Sequence, residues 1–302
     1  MHDGVRRPGG TATLWLMDVV DALRQLGGVA VYEELAGVCT EWQVRRAATD
    51  GRIVRLRRNR YALVDTDAHV AAAVAAGGVV SHLSAAAVWG WKLKHEPVRP
   101  WVTLPRTRRR PIDNLEIRWA DVPDSDVTRH VTRPARTVVD CAKALPFDEA
   151  LAVADSALRG GEVSRRELLE AVRRSSRNRR TKALEVVEAA DPRAANPFES
   201  VVRAIARDVR GLTVVPQVQI PRVGRVDLCD EELGIVIEAE SHEFHSSPAG
   251  LRKDVSRYTE CARQGLVVVR FVWGQAMNQP EQVREALVEV VARRRRDLGF
   301  AA

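Results

Sequence analysis

Cysteine is scarce, lysine is nearly absent, and no long apolar run occurs. The four cysteines, Cys39, Cys141, Cys229 and Cys261, stand apart, and none belongs to a CxxC pair. That excludes a zinc ribbon or a redox dithiol. Scattered thiols in a chain of this size fit a reducing, cytoplasmic compartment. No eighteen consecutive residues are apolar, so no transmembrane helix and no membrane partner are expected. The apolar stretch Thr13 to Val20 is short, is interrupted by Asp18 and precedes no cleavage-like segment, so no signal peptide is expected. Of the 47 basic residues, 42 are arginine and five are lysine. Arginine is the better fork for phosphates and guanine edges. A genomic codon bias produces the same ratio, however, so the ratio alone assigns no partner.

What is present is enough for packed cores. The hydrophobic fraction of 45% and the charged fraction of 29% exclude a disordered or fibrous chain. At roughly 100–200 residues per domain, 302 residues allow two or three domains. The net charge of +7 is uneven: +2 over residues 1–65, +5 over 66–190 and zero over 191–302. The last segment therefore has to be understood from where its acids sit, not from overall attraction to an anion.

Residues 1–65 read as a winged helix-turn-helix. Leu14, Met17, Val20, Leu23 and Leu26 form a helical stripe closed by Gly27-Gly28. A short helix over Glu33 to Ala36 follows. Thr40 and Gln43 then have the spacing of a capping box for a helix running to Asp50. Arg52 to Leu56 and Tyr61 to Val64 read as strands of a hairpin turning at Asn59. Three helices and a small hairpin suit DNA, with one helix in the major groove presenting its first turns. Gln43, Arg45 and Arg46 are the candidate base-reading residues. Arg55, Arg57, Arg58 and Arg60 are candidate wing contacts to phosphate. Residues 41–60 hold seven arginines against Glu41 and Asp50. A small structural domain with a solvated basic hairpin is the other reading.

Residues 66–190 read as an α+β unit. Helices are expected over Thr66 to Ala76, from Ser81 to Val88, over Ala135 to Ala144, over Phe147 to Leu158, and after a Ser164/Glu167 capping box. Strands are expected at Pro100 to Leu104, Leu115 to Trp119 and Val127 to Val131. The stretch Arg173 to Lys182 holds six cations and no acid and reads as a helix end with a basic linker. The order of motifs is a winged helix, Ser81-His82-Leu83-Ser84-Ala85-Ala86 before Trp89-Gly90, Trp101-Val102-Thr103-Leu104-Pro105, Val131 to Asp140, and Ala154 to Leu158. Over residues 14–175 this resembles the AbiEi-type antitoxin family of type IV toxin–antitoxin systems. The resemblance implies an N-terminal DNA-binding domain that represses its own operon. In members with a partner toxin gene it also implies a cognate toxin, resembling a nucleotidyltransferase. Thr132, Arg136 and Asp140 match the family string, with a structural role expected for them.

Residues 191–302 place acids in apolar surroundings. The expected order is helix, strand, strand, strand, helix, strand, helix. Glu199 lies in the first turn of a helix opened by Asn196-Pro197, where the dipole favours negative charge. Asp227 lies inside a strand, and Glu238 and Glu240 end the run Ile235-Val236-Ile237 on one face. Acids in such a run are unusual as mere solvated strand ends. Converging carboxylates form a hard oxygen cage for Mg²⁺ or Mn²⁺, which would polarise a phosphodiester and activate water.

Residues 195–292 resemble the PD-(D/E)XK nuclease superfamily, and within it the very-short-patch-repair-like endonucleases. The matching pieces are Pro197-Phe198-Glu199, Arg225-Val226-Asp227, Ile237-Glu238-Ala239-Glu240-Ser241, His245, Arg252 to Arg257, and Val268 to Trp273. The resemblance implies a restriction-endonuclease-like α/β fold. It implies metal ligation by Glu199, Asp227, Glu238 and Glu240, with His245 handling a proton or orienting the phosphate. Glu240-Ser241 stands where the branch commonly has Asp-Gly. The sequence thus leads to a multidomain α+β and α/β protein that binds double-stranded DNA, with a Mg²⁺-dependent endonuclease-like domain hydrolysing phosphodiester bonds. The alternative is a non-enzymatic antitoxin and transcriptional autorepressor. An RNA substrate also stays open.

Overall fold

The computed structural model describes residues 17–108, 110–240 and 248–300. It shows a multidomain mixed α/β architecture with one three-stranded, one four-stranded and one five-stranded sheet. The chain divides into two compact units. One is Met1–Val80 with Val102–Val131, and the other is Ser81–Trp101 with Thr132–Ala302.

The first unit opens with helix Val19–Gln25. Asp18 caps it by accepting from the Val20 N–H, and Val19, Ala22 and Leu23 turn inward. Residues 14–16 of the expected stripe lie outside the described residues. A four-residue helix, Tyr32–Leu35, precedes helix Glu41–Thr49. The anticipated capping box forms: the Thr40 hydroxyl accepts from the Gln43 N–H at 3.2 Å, and Gln43 Oε1 accepts from the Thr40 N–H at 2.8 Å. Val44 and Ala47 pin this helix to the core.

The hairpin is Ile53–Arg57 with Arg60–Leu63, and Asn59 takes a left-handed φ of 59° at its turn. Arg60–Leu63 is the middle strand, because Val29–Val31 pairs on its other side. Helix Ala68–Ala76 starts at the Asp67 cap and ends at Gly77, whose φ of 78° is the left-handed stop that glycine tolerates. In the five-stranded sheet the order is Glu116–Trp119, Trp101–Leu104, Val79–Val80, Val131–Thr132, Val127–Thr128. The strand expected over 127–131 is two short ones, broken where Arg129 and His130 both take positive φ.

The second unit has a helical layer and a sheet layer. Helices His82–Val88, Pro134–Ala144, Phe147–Gly160, Arg165–Arg174 and Arg180–Ala189 share a core through Leu83, Val138, Leu151, Leu168 and Val186. The run Arg173 to Lys182 thus ends helix Arg165–Arg174, and its last three residues begin the packed helix Arg180–Ala189. Arg136 forms an ion pair with Asp140 one turn on, and the buried Thr132 hydroxyl hydrogen-bonds that of Thr137. Asp155, fully buried, accepts from Arg203 Nη2 at 2.6 Å, the Ser200 hydroxyl at 2.7 Å and the Asp191 N–H at 2.6 Å. It therefore ties helix Phe147–Gly160 to helix Pro197–Arg207.

The four-stranded sheet runs Val267–Val272, Ile235–Glu240, Gly224–Asp230, Val215–Ile220. Its last three strands are antiparallel. Ile235–Glu240 and Val267–Val272 are parallel, joined by a crossover that contains helix Pro248–Arg263. Pro216 lies on the edge strand, where a missing N–H is tolerated. Helix Pro280–Asp297 packs Val283, Leu287 and Val291 into the same core as Val201, Leu228 and Ile237. A short helix, Trp273–Asn278, stands between the last strand and this helix and was not anticipated.

Candidate functional site

The arginines of residues 41–60 have different surroundings. Arg45 pairs with Glu41 at 2.5 Å and Arg46 with Asp50 at 2.9 Å, each within its own helix and largely exposed. Exposed pairs of this kind hold each side chain weakly, at roughly 0–1 kcal/mol. Arg55, Arg57 and Arg58 are exposed on the hairpin and make no ion pair among the described residues. Arg60 is different. Its Nη1 donates to the Val74 carbonyl at 2.6 Å, beside the Arg108 Nη1 that donates to the Ala76 carbonyl at 2.8 Å. Two guanidinium groups thus cap the C-terminus of helix Ala68–Ala76, where the dipole favours cations. Gln43 is also committed, its Oε1 being held by the Thr40 N–H and hydroxyl. The exposed candidates are therefore Arg45, Arg46, Arg55, Arg57 and Arg58.

In the second unit, Glu199, Asp227 and Glu238 come to neighbouring positions. The ladder between Gly224–Asp230 and Ile235–Glu240 is regular from Asp230/Ile235 to Leu228/Ile237. Beyond that point side chains replace backbone partners. Asp227 Oδ2 accepts from the Ala239 N–H at 2.9 Å, and Glu238 Oε2 lies 3.4 Å from the Asp227 N–H. Glu199 sits at 2% exposure in the first turn of its helix. It accepts from the Ala195 N–H at 2.9 Å, Asn196 Nδ2 at 2.8 Å and Gln217 Nε2 at 2.9 Å. Gln217 Nε2 also reaches Asp227 Oδ1 at a long 3.4 Å.

Gln217 is among the site residues that sequence reasoning missed. It takes a φ of 58°, and the register with Gly224–Asp230 skips it, passing from Val218/Val226 to Pro216/Leu228. Such an irregularity re-aims a strand side chain. Its polar character in an otherwise half-buried edge strand was the available signal.

Electrostatics follow from this crowding. Burial, reinforced by Asp227, pushes the Glu199 carboxyl up to about 7. Burial and Asp227 push Glu238 up to about 8, against the pull of Arg257. Arg257 Nη2 donates to Glu238 Oε1 at 2.5 Å and to the Arg225 carbonyl at 2.7 Å. Glu240 stands apart from the other three acids in its partners. Its Oε1 accepts from Arg270 Nε at 2.7 Å and the Tyr258 hydroxyl at 2.9 Å, and Arg270 lies over the Tyr258 ring at 4.6 Å. His245, and His242 near it, lie outside the described residues.

A divalent ion needs several oxygens converging at about 2.0–2.6 Å. Among the described residues, no group of three or more His, Cys, Asp or Glu side chains could hold one. Glu238 and Glu240 already carry arginines of the chain itself. As arranged, the described acids do not fit the metal that the nuclease resemblance implies.

No family model matches the chain. Two curated relatives, the uncharacterized proteins MT2308 and Rv2248 of Mycobacterium tuberculosis, are each 32% identical over 175 residues. The match covers 55% of this chain and 64% of theirs, so the chain spans just under two thirds of their length. A crystal structure of the RV2827C protein from Mycobacterium tuberculosis aligns with 67% of this chain and 84% of its own. Its TM-score of 0.33 and 16% identity are too low for it to carry an argument. No helix of the described residues is long and apolar enough to cross a membrane.

Proposed function

We propose that this chain is a DNA-binding regulator of the antitoxin-repressor type, in which the nuclease-like carboxylates are held by the chain's own cations. The observation that carries this reading is the pairing of Glu238 with Arg257 and of Glu240 with Arg270, which occupies both carboxyls with arginines of the chain itself. Exposed arginines also stand on helix Glu41–Thr49 and its hairpin, the parts of a winged helix-turn-helix that would meet a groove and the phosphates beside it. A cognate toxin belongs to this reading as a partner of the whole protein.

One observation favours a second reading, endonuclease activity. Glu199 and Asp227 share Gln217, and Asp227 meets Glu238 where the strands part. That reading requires Arg257 to leave Glu238.

Two measurements on the full chain separate the readings. Fluorescence anisotropy with duplex DNA should show binding that weakens steeply with salt. The triple variant Arg55→Ala, Arg57→Ala, Arg58→Ala should flatten the logarithmic salt slope by roughly 0.9 for each phosphate it no longer neutralises. An unchanged slope and affinity would place the DNA surface elsewhere. Incubation of plasmid DNA with the chain and Mn²⁺ should leave the plasmid intact. Nicking that disappears in Asp227→Asn would replace the repressor reading with the endonuclease.

A further inference from the structure

Helix Glu41–Thr49 turns Val44 and Ala47 to its core and leaves Trp42, Arg45, Arg46 and Thr49 outside, at i, i+3, i+4 and i+7. Trp42 is 72% exposed, the most exposed aromatic side chain among the described residues. No hydrogen bond, ring contact or cation–π partner engages it among those residues. An indole buries roughly 150–250 Å² when covered. Left in water on a short helix, it adds nothing to folding, so its packing capacity is available to another molecule.

The neighbours of Trp42 select the class of that molecule. Of the seven arginines between residues 41 and 60, Arg60 turns inward and Arg52 pairs with Asp18, and the exposed Arg45, Arg46, Arg55, Arg57 and Arg58 point to a polyanion. A single helix carrying both cations and an apolar plate matches the major groove, which is wide enough to admit it. The apolar group on the floor of that groove is the C5-methyl of thymine. Gln43, adjacent to Trp42 and the obvious amide reader of adenine, has its carbonyl oxygen held in the capping box. We infer that Trp42 reads thymine by packing its indole on the C5-methyl, while Arg45 and Arg46 exchange their helix partners for the DNA. This rests on the DNA-binding reading above and adds to it the side chain that discriminates sequence.

The test uses the full-length chain and a pool of duplexes with a randomised central segment. Selection with the wild type should enrich a sequence containing thymine. In that duplex, replacing one thymine by deoxyuridine, which removes only the methyl, should weaken binding about three- to tenfold. With Trp42→Ala the same replacement should have no effect, and selection should enrich a different or degenerate sequence. Circular dichroism should show both proteins equally folded, as the exposure of Trp42 implies.

An equal thymine-to-deoxyuridine loss in both proteins, or enrichment of the same sequence by both, would overturn the inference and leave DNA binding standing. Binding to the pool without any enrichment would do the same. No binding to any duplex by the wild type would remove the DNA reading itself. Trp42 would then cover a protein surface, such as a second copy of the chain, which sedimentation of wild type against Trp42→Ala would reveal.

Discussion

Four arginines within six positions, Arg55, Arg57, Arg58 and Arg60, look equivalent in sequence and are not equivalent in the fold. Three extend from the hairpin into solvent. The fourth turns inward to the last carbonyls of helix Ala68–Ala76, and burial together with Arg108 and Arg57 lowers its pKa. An N–H from a charged group to an otherwise orphaned helix carbonyl contributes more than a neutral hydrogen bond, about 1.5–3 kcal/mol. Arg60→Ala should therefore lower the unfolding free energy by about 1–3 kcal/mol, whereas Arg58→Ala should stay within about 0.5 kcal/mol. Urea denaturation of the two variants against wild type checks this. Equal effects would mean that Arg60 is as dispensable to the fold as its neighbours. The contrast also sharpens the DNA experiments, since weak binding by an Arg60 variant would report a less stable fold before it reported a missing phosphate partner.

Between elements, Asp155 is a fully buried tie that holds helix Phe147–Gly160 to Arg203 and Ser200 of helix Pro197–Arg207. Arg203 is itself mostly buried, at 11% side-chain exposure. Asp155→Ala would leave that guanidinium without its counter-charge and should cost about 3–5 kcal/mol. Removing the exposed partner Asp21 of Arg24 should cost at most about 1 kcal/mol. Denaturant titration of both variants makes the comparison. The elements themselves were legible where a local signal existed: the Thr40/Gln43 and Ser164/Glu167 boxes, Asn196-Pro197, and the Ile-Val-Ile strand ending in acids. Strand Val29–Val31 was not, because three residues form a strand only through their pairing with Arg60–Leu63. Helix Arg180–Ala189 was hidden by its start, where Arg179 is left-handed and supplies no side-chain cap. In the carboxylate site the acids were visible by residue type. Their donors Arg257, Arg270, Tyr258 and Gln217 were not, since they arrive from other elements and Gln217 depends on an irregular backbone.

At the scale of the whole molecule, the neutral balance of residues 191–302 conceals a proton reservoir. In the unfolded chain a glutamic acid titrates at about 4.3. In the fold, Glu199 and Glu238 are raised to about 7 and about 8, first by burial and then by the nearby Asp227. Between these limits the folded state binds more protons than the unfolded one, so the free energy of unfolding falls as pH rises. The stabilisation is complete below about pH 4.3 and is lost as the pH passes through about 7 and 8. Carboxyls that are held low, such as Asp18 and Asp191, act in the opposite sense but at acid pH. A window from pH 6 to pH 9 spans the raised pair and lies above the range of those low carboxyls. The melting temperature of the full chain should decline across that window, and Glu199→Gln should make the decline shallower, because an amide keeps an acceptor for the Ala195 N–H yet has no proton to lose. Differential scanning calorimetry at several pH values, wild type beside Glu199→Gln, measures the difference directly. Parallel curves would mean that Glu199 titrates alike in both states, and that its three hydrogen bonds hold it charged despite burial.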